Sequence, residues 1–108
     1  MQHRWAKAVR MFDSQGLSNL AWALAVFQLQ NAPLREAISS AAIRSISHFC
    51  PVDLANLSWA VSMLACADWP LLQSISAEAR AKISAFSPWD LGITAWAYAA
   101  RAYRDGPL

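Results

Sequence analysis

The sequence predicts an all-α chain, an α-solenoid (superhelix) of stacked antiparallel helix pairs with a 37-residue repeat, and three observations carry that prediction. Trp22, Trp59 and Trp96 stand 37 residues apart. The same step links Phe12, Phe49 and Phe86, then Leu17, Leu54 and Leu91, then Ala23, Ala60 and Ala97, then Pro33, Pro70 and Pro107. Aligning residues 12–48 with 49–85 gives 13 identities in 37 pairs. A period of this length falls among helix-pair repeats, between the ~34 residues of tetratricopeptide units and the ~40 or more of HEAT and armadillo units. The register divides a single solenoid fragment, 1–108, into a half unit 1–12, a repeat 13–49, a repeat 50–86 and a half unit 87–108.

Each unit reads as two helices. Helix A is expected over 14–30, 51–67 and 88–104, and it carries start signals. Ser87, Pro88 and Asp90 supply a cap, a proline at the first helical position and an acid at the third, while Cys50, Pro51 and Asp53 repeat the pattern with a poorer cap. Helix B is expected over 33–48 and 70–85, entered by a turn at Asn31 or Asp68 followed by Pro33 or Pro70. Its apolar stripe runs Leu34, Ile38, Ala42, Ile46, Phe49, and Leu71, Ile75, Ala79, Ile83, Phe86 copy it. Residues 20–27 and 57–67 of helix A are apolar nearly all round, so that helix must be covered on several sides. Small residues at 21, 23 and 25 and their equivalents let neighbouring helices approach closely, with Trp22, Trp59 and Trp96 expected as core wedges between units.

Composition narrows the function classes. A chain that is 56% hydrophobic and 15% charged, with a formal charge of +2, has ample apolar area to offset the entropy of ordering, which excludes disorder. No apolar run approaches the ~20 residues of a membrane span, so no membrane partner is expected. Cys50 and Cys66 form neither a CxxC pair nor a disulfide framework, which suits a reducing, intracellular compartment. His3 and His48 hold different repeat positions, and no Gly-rich phosphate loop, HExxH or paired-carboxylate spacing occurs. The expectation is a binding protein with no catalytic residues, no metal and no cofactor.

Met1 aligns with Ile38 and Pro107 with Pro33, so the chain reads as cut from a longer array, with uncapped apolar ends expected to self-associate. Arg4, Lys7 and Arg10 could belong to a transit peptide, yet Val9 and Phe12 fall on core positions of the repeat, which favours a repeat helix.

The segments LSNLAWAL at 17–24, LANLSWAV at 54–61 and LGITAWAY at 91–98 resemble octotricopeptide and heptatricopeptide repeats, α-solenoid families of organelle RNA-binding proteins in algae and related protists. The resemblance covers nearly the whole chain. Its best marks are Leu17, Asn19, Trp22 and Ala23, repeated as Leu54, Asn56, Trp59 and Ala60; the third unit departs with Ile93 in place of Asn. The nuclease-like RAP module often found in the second family has no counterpart here. The resemblance implies binding of single-stranded RNA in a mitochondrion or plastid, in RNA processing, stability or translation. A protein-binding solenoid scaffold is the alternative.

Candidate RNA contacts follow. Arg4, Lys7, Arg10, Arg44, Arg80 and Lys82 all fall on helix B or its equivalent. Arg44 lies two residues, about 200° around the helix, from Ala42 and from Ile46, so it points away from the core. These cations either track a phosphate backbone or form a solvated face that keeps an apolar chain in solution. Asn19 and Asn56 could read base edges or satisfy backbone groups. Trp69 and Trp89 stand where the other units have Ala32 and Gln15, outside the needs of the repeat, and could stack a base or pack a loop.

Overall fold

Asp13 starts the first helix by accepting a hydrogen bond from Gly16 N at 2.8 Å, an N-cap that satisfies one of the orphan donors of the first turn. The computed structural model describes residues 7–29, 31–64 and 69–104, with side chains as far as residue 100. Every long element in it is an α-helix: α1 (Ser14–Phe27), α2 (Ala32–Arg44), α3 (Pro51–Met63), α4 (Trp69–Ala81) and α5 (Pro88–Arg104), preceded by a helical stretch at 7–9. Among the described residues there is no strand. The helices α1, α3 and α5 begin at Ser14, Pro51 and Pro88, in steps of 37, and α2 and α4 keep the same step.

The other caps follow from the local sequence. Asn31 Oδ1 accepts from Leu34 N at 3.0 Å at the start of α2. At the start of α5, Asp90 N donates to Ser87 Oγ and Ser87 N donates to Asp90 Oδ2, the reciprocal pair of a capping box. Cys50 differs, because its exposed thiol caps no backbone donor and instead donates to Asp53 Oδ2 at 3.1 Å.

The helices end earlier than their apolar runs. α1 stops at Phe27 because Gln28 takes the left-handed conformation, φ 53°. Gln28 N then donates to Ala25 O and Leu29 N to Leu24 O, a Schellman closure formed without the usual glycine. α3 stops at Met63, where Leu64 is already extended. α2 and α4 tighten into 3₁₀ turns at Ile46–His48 and Ile83–Ala85, with matching bonds from Phe49 N to Ile46 O and Phe86 N to Ile83 O. The turns deliver Phe49 and Phe86 into the interior just ahead of a proline that starts the next helix.

α1, α3 and α5 lie side by side and share the most extensive contacts of the molecule. α2 packs on α1, α4 packs on α3, and α2 and α4 meet to a similar extent, with α4 also touching the 3₁₀ turn at Ile46–His48. The interior is built from Leu17, Leu54, Leu57, Phe49, Leu72 and Ile75, all fully buried, with Val9 of the first helical stretch joining them. Phe12, expected in the core, is half-exposed instead, because among the described residues none closes over it on the side of α1 that faces away from α3.

The α1–α3 seam is lined by Ala21, Ala25, Ala60 and Ser18. The tryptophans are not its wedges: Trp22 and Trp96 are 47% and 49% exposed, and Trp59 is half-buried. Small side chains bring the helix axes too close for an indole to lie between them, so each ring is displaced to the edge of the seam. Polar groups tie the seam at one end. Buried Asp53 accepts from Ser14 Oγ at 3.2 Å through its carboxylate, and Ser18 Oγ donates to its main-chain oxygen at 3.0 Å. The carboxylate also sits in the first turn of α3, where the helix dipole favours negative charge.

Tyr98 joins α5 to α4, its hydroxyl donating to Leu72 O, and burial pushes the phenol up to about 12. Thr94 stands in the register of Leu57, and its hydroxyl is buried without a hydrogen-bond partner.

Two outcomes follow. Asp53→Ala removes the acceptor of Ser14 and Cys50, and urea denaturation should show a loss of about 1.5–3 kcal/mol, as for a hydrogen bond to a charged group, with Asp53→Asn falling between. Tyr98 keeps its proton in the folded state after the unfolded chain has released it near pH 10. Its contribution is therefore complete below pH 10 and is lost as pH rises toward about 12. Absorbance at the phenolate band should show one late-titrating tyrosine that Tyr98→Phe removes, and the variant should lose stability less steeply over that interval.

Candidate functional site

Helical geometry leaves α3 one open strip. Residues 53–55, 57, 58 and 60–62 are buried, whereas Val52, Asn56, Trp59 and Met63 are exposed or half-exposed. Their spacing of four, three and four places them on one face. The same register on α1 holds Gln15, Asn19, Trp22 and Val26, all exposed, and on α5 it holds Trp89, Ile93 and Trp96. The three helices lie side by side, so their strips adjoin and form one surface of indoles, amides and aliphatic side chains.

Within this surface Trp22 and Trp59 stack, with ring centroids 5.9 Å apart and planes at 30°. The next step of the row is open. Trp59, Pro88, Trp89, Gly92, Ile93 and Trp96 surround an open hollow of about 380 Å³ between α3 and α5. A side chain at Gly92 would meet nothing within 4 Å, so the hollow opens to solvent past this edge of α5. Trp89 is 73% exposed on its wall. The lining carries no charged group, and its polar character comes from indole N–H and main-chain atoms.

Asn19 and Asn56 belong to this surface rather than to the interior. Asn19 is exposed and Asn56 half-buried. Among the described residues no side-chain hydrogen bond engages either amide, so their donors and acceptors face outward. Ile93 replaces the amide beside the hollow.

The basic candidates lie elsewhere. Lys7, Arg10, Arg44 and Arg80 are exposed, and Arg44 Nη2 reaches Ser40 Oγ at 3.5 Å. α2 and α4 turn their apolar stripes toward α1 and α3; Arg44 points outward, away from buried Ala42, whereas Arg80 borders the recesses between α4 and α5, and neither lines the hollow of the indole surface. Arg4 lies outside the described residues, as do Cys66 and His3. Lys82 leaves the strip altogether: its Nζ donates to Ser47 O at 2.8 Å and to Phe49 O, and sits 3.7 Å from Glu78 Oε2. The ammonium thus binds the carbonyl end of the 3₁₀ turn one repeat earlier. A cation at the C-terminal end of a helical segment is favoured by its exposed carbonyls. Trp69, 44% exposed at the first residue of α4, borders a separate recess with Gln73, Arg80 and Tyr98.

The exposed tryptophan row was missed by reading apolar content alone. The signal was present in phase: Gln15 and Asn19 lie seven and three residues before Trp22, on the same helical face, and a polar pair on that face marks it as open. Among the described residues no group of three or more His, Cys, Asp or Glu side chains could hold a metal ion, and no helix is long and apolar enough to cross a membrane.

Lys82→Met and Arg44→Met separate the two kinds of cation. Losing the Lys82 contacts frees one exposed and one part-buried carbonyl, those of Ser47 and Phe49, and should lower unfolding free energy by about 0.5–1.5 kcal/mol, whereas Arg44→Met should change it by less than about 0.5 kcal/mol, as read by chemical denaturation. Comparison with known proteins finds no family model, no curated protein and no solved structure that matches the chain.

Proposed function

We propose that this chain is an RNA-binding helical-repeat protein, an α-solenoid segment of 37-residue helix pairs that holds single-stranded RNA along its indole surface. The observation that carries the reading is the row Trp22, Trp59, Trp96, with Trp89 beside it and Asn19 and Asn56 on the same strips. Single-stranded RNA exposes the faces and edges of unpaired bases. Indoles stack on the faces, and amides pair with the edges. The 37-residue spacing of the helix starts supports the solenoid, and the resemblance of LSNLAWAL and LANLSWAV to organellar RNA-binding repeats supports the ligand and a mitochondrial or plastid setting. The action is clamping or remodelling of RNA, and no chemical step is assigned to it.

The indole surface displaces the basic strip as the contact face. Stacking contributes ~1–3 kcal/mol per base, and no Lys or Arg stands at the strip positions of α1, α3 or α5. Affinity on this face therefore depends weakly on salt.

A protein-binding scaffold is favoured by one observation, the uncharged hollow of Trp59, Pro88, Trp89 and Trp96. Aromatic-lined grooves accept proline-rich, extended peptides. The two ligands are told apart by direct titration.

Fluorescence anisotropy of a labelled single-stranded RNA, with a duplex of equal length as control, tests the reading. Single-strand binding is expected, with a log–log salt slope of about −0.7 to −1.4, equivalent to one or two phosphate contacts. Trp96→Ala and Trp89→Ala should each weaken it about 5- to 100-fold, as loss of one stacked base would. Arg44→Glu should leave it nearly unchanged. Absence of binding at low salt, together with quenching of tryptophan fluorescence by a proline-rich peptide, would transfer the surface to the scaffold reading. Binding abolished by Arg44→Glu but indifferent to Trp96→Ala would return the contact to the basic strip.

A further inference from the structure

The side of α5 turned away from α3 repeats, position by position, a surface that is buried twice elsewhere in the molecule. On α1 that register is Leu17, Ser18, Ala21 and Ala25, none more than 6% exposed. On α3 it is Leu54, Ala55, Ser58 and Ser62, again closed to solvent. On α5 it is Leu91, Gly92, Ala95 and Ala99, and all four are exposed, Leu91 at 42%. Beside them a hollow runs from Ser76 and Ile83 past Phe86 to Ala95 and Tyr98. Ile83 is 52% exposed although it continues the apolar stripe of α4.

The opposite end of the row has the complementary vacancy. In α3 the side that meets α1 is Asp53, Leu57, Ala60 and Leu64, all buried. The same register on α1 is Gly16, Leu20, Ala23 and Phe27, of which Phe27 is 71% exposed and the other three are half-buried, Leu20 packing partly on the core. Met11 and Phe12 extend that open apolar edge, while Phe49, the equivalent of Phe12, is fully buried.

We propose that a second copy of this chain docks head to tail, its α1 lying on α5 as α3 lies on α1. Both halves of the contact are present on one molecule, and each is the register counterpart of a surface that already pairs within it. The small residues Gly92, Ala95 and Ala99 permit the close helix approach seen at Ala21 and Ala25, and a partner offering Leu20, Ala23 and Phe27 supplies the branched and aromatic side chains to fill it. Neither quartet carries a charge; Arg80 borders the hollow beside the α5 quartet and is exposed, so its long side chain can keep the guanidinium in water as the partner docks. The template is heterologous, because one face of a helix meets the other face of the next, so addition does not close at two copies. The tryptophan strip would continue across the joint, but the contact does not depend on what that strip binds.

Sedimentation velocity of the full chain from micromolar to millimolar concentration tests this. The expected result is reversible mass growth past the dimer. Ala95→Arg and Phe27→Asp alter exposed positions at opposite ends, and each should be monomeric with unchanged helical circular dichroism. Each retains one intact face, so an equimolar mixture should form a dimer and nothing larger. A monomer at all concentrations, growth that survives both substitutions, or a wild-type assembly that stops at two copies and that the mixture fails to reproduce would overturn the proposal.

Discussion

The close approach of α1, α3 and α5 is the constraint on which the other features depend. Alanines at 21, 25, 60 and 97 and serines at 18, 58 and 62 are buried in the contacts of this helix row. Helices that near one another leave no room for a large ring between them. The indoles move to the rim, where they stack on each other or stand open, and the large apolar side chains Leu17, Leu54 and Leu57 fill the interior around the row. One choice of side-chain size thus sets the core and the accessible surface together.

Close packing also raises the cost of any unpaired polar group at the seam, and the structure places hydrogen bonds accordingly. Ser58 Oγ and Ser62 Oγ donate back to main-chain oxygens one turn earlier, at 2.8 Å each, so their hydroxyls are satisfied within α3. Asp53 is satisfied by groups from both sides, Cys50 on its own turn and Ser14 on α1. Lys82 performs the comparable service between repeats on the other row, reaching carbonyls more than 30 positions earlier in the chain. Thr94, in the register of Leu57, is the exception, and its orphan hydroxyl lies beside the open hollow of α5.

Much of the fold was legible in the sequence because the relevant signals are local. Proline and acid positions gave the helix starts at 51 and 88, and the apolar stripe of α2 and α4 identified Ile38, Ala42, Ile75 and Ala79 as interior. The helix ends were legible for α5, which runs to Arg104 as expected, but not for α1 and α3. An apolar run past Phe27 continues the helical pattern, while the left-handed turn at Gln28 depends on how the chain must bend to reach α2. The tryptophans were assigned to the core because hydrophobicity ranks them there; their position depends on the distance between two helices that are separate in sequence. Lys82 reads from sequence as one of the outward cations of helix B, a phosphate contact or a solvated charge, and its carbonyl partners come from a turn that no local pattern announces.

The placement of the cations relative to the indole row carries the functional argument further than either alone. Arg80 shares a recess with Trp69 and Gln73, but the row Trp22, Trp59, Trp89 and Trp96, with Asn19 and Asn56, occupies strip positions where no cation stands. Long-range attraction from a charge of +2 is weak and is screened beyond ~8 Å at physiological ionic strength, so it adds little to a ligand seated on the indole strips. Contact energy on the indole face must then come from stacking and from desolvating flat apolar surface. In the proposed role, such a face would favour unpaired, planar or extended ligands over duplexes, whose bases are already stacked upon one another.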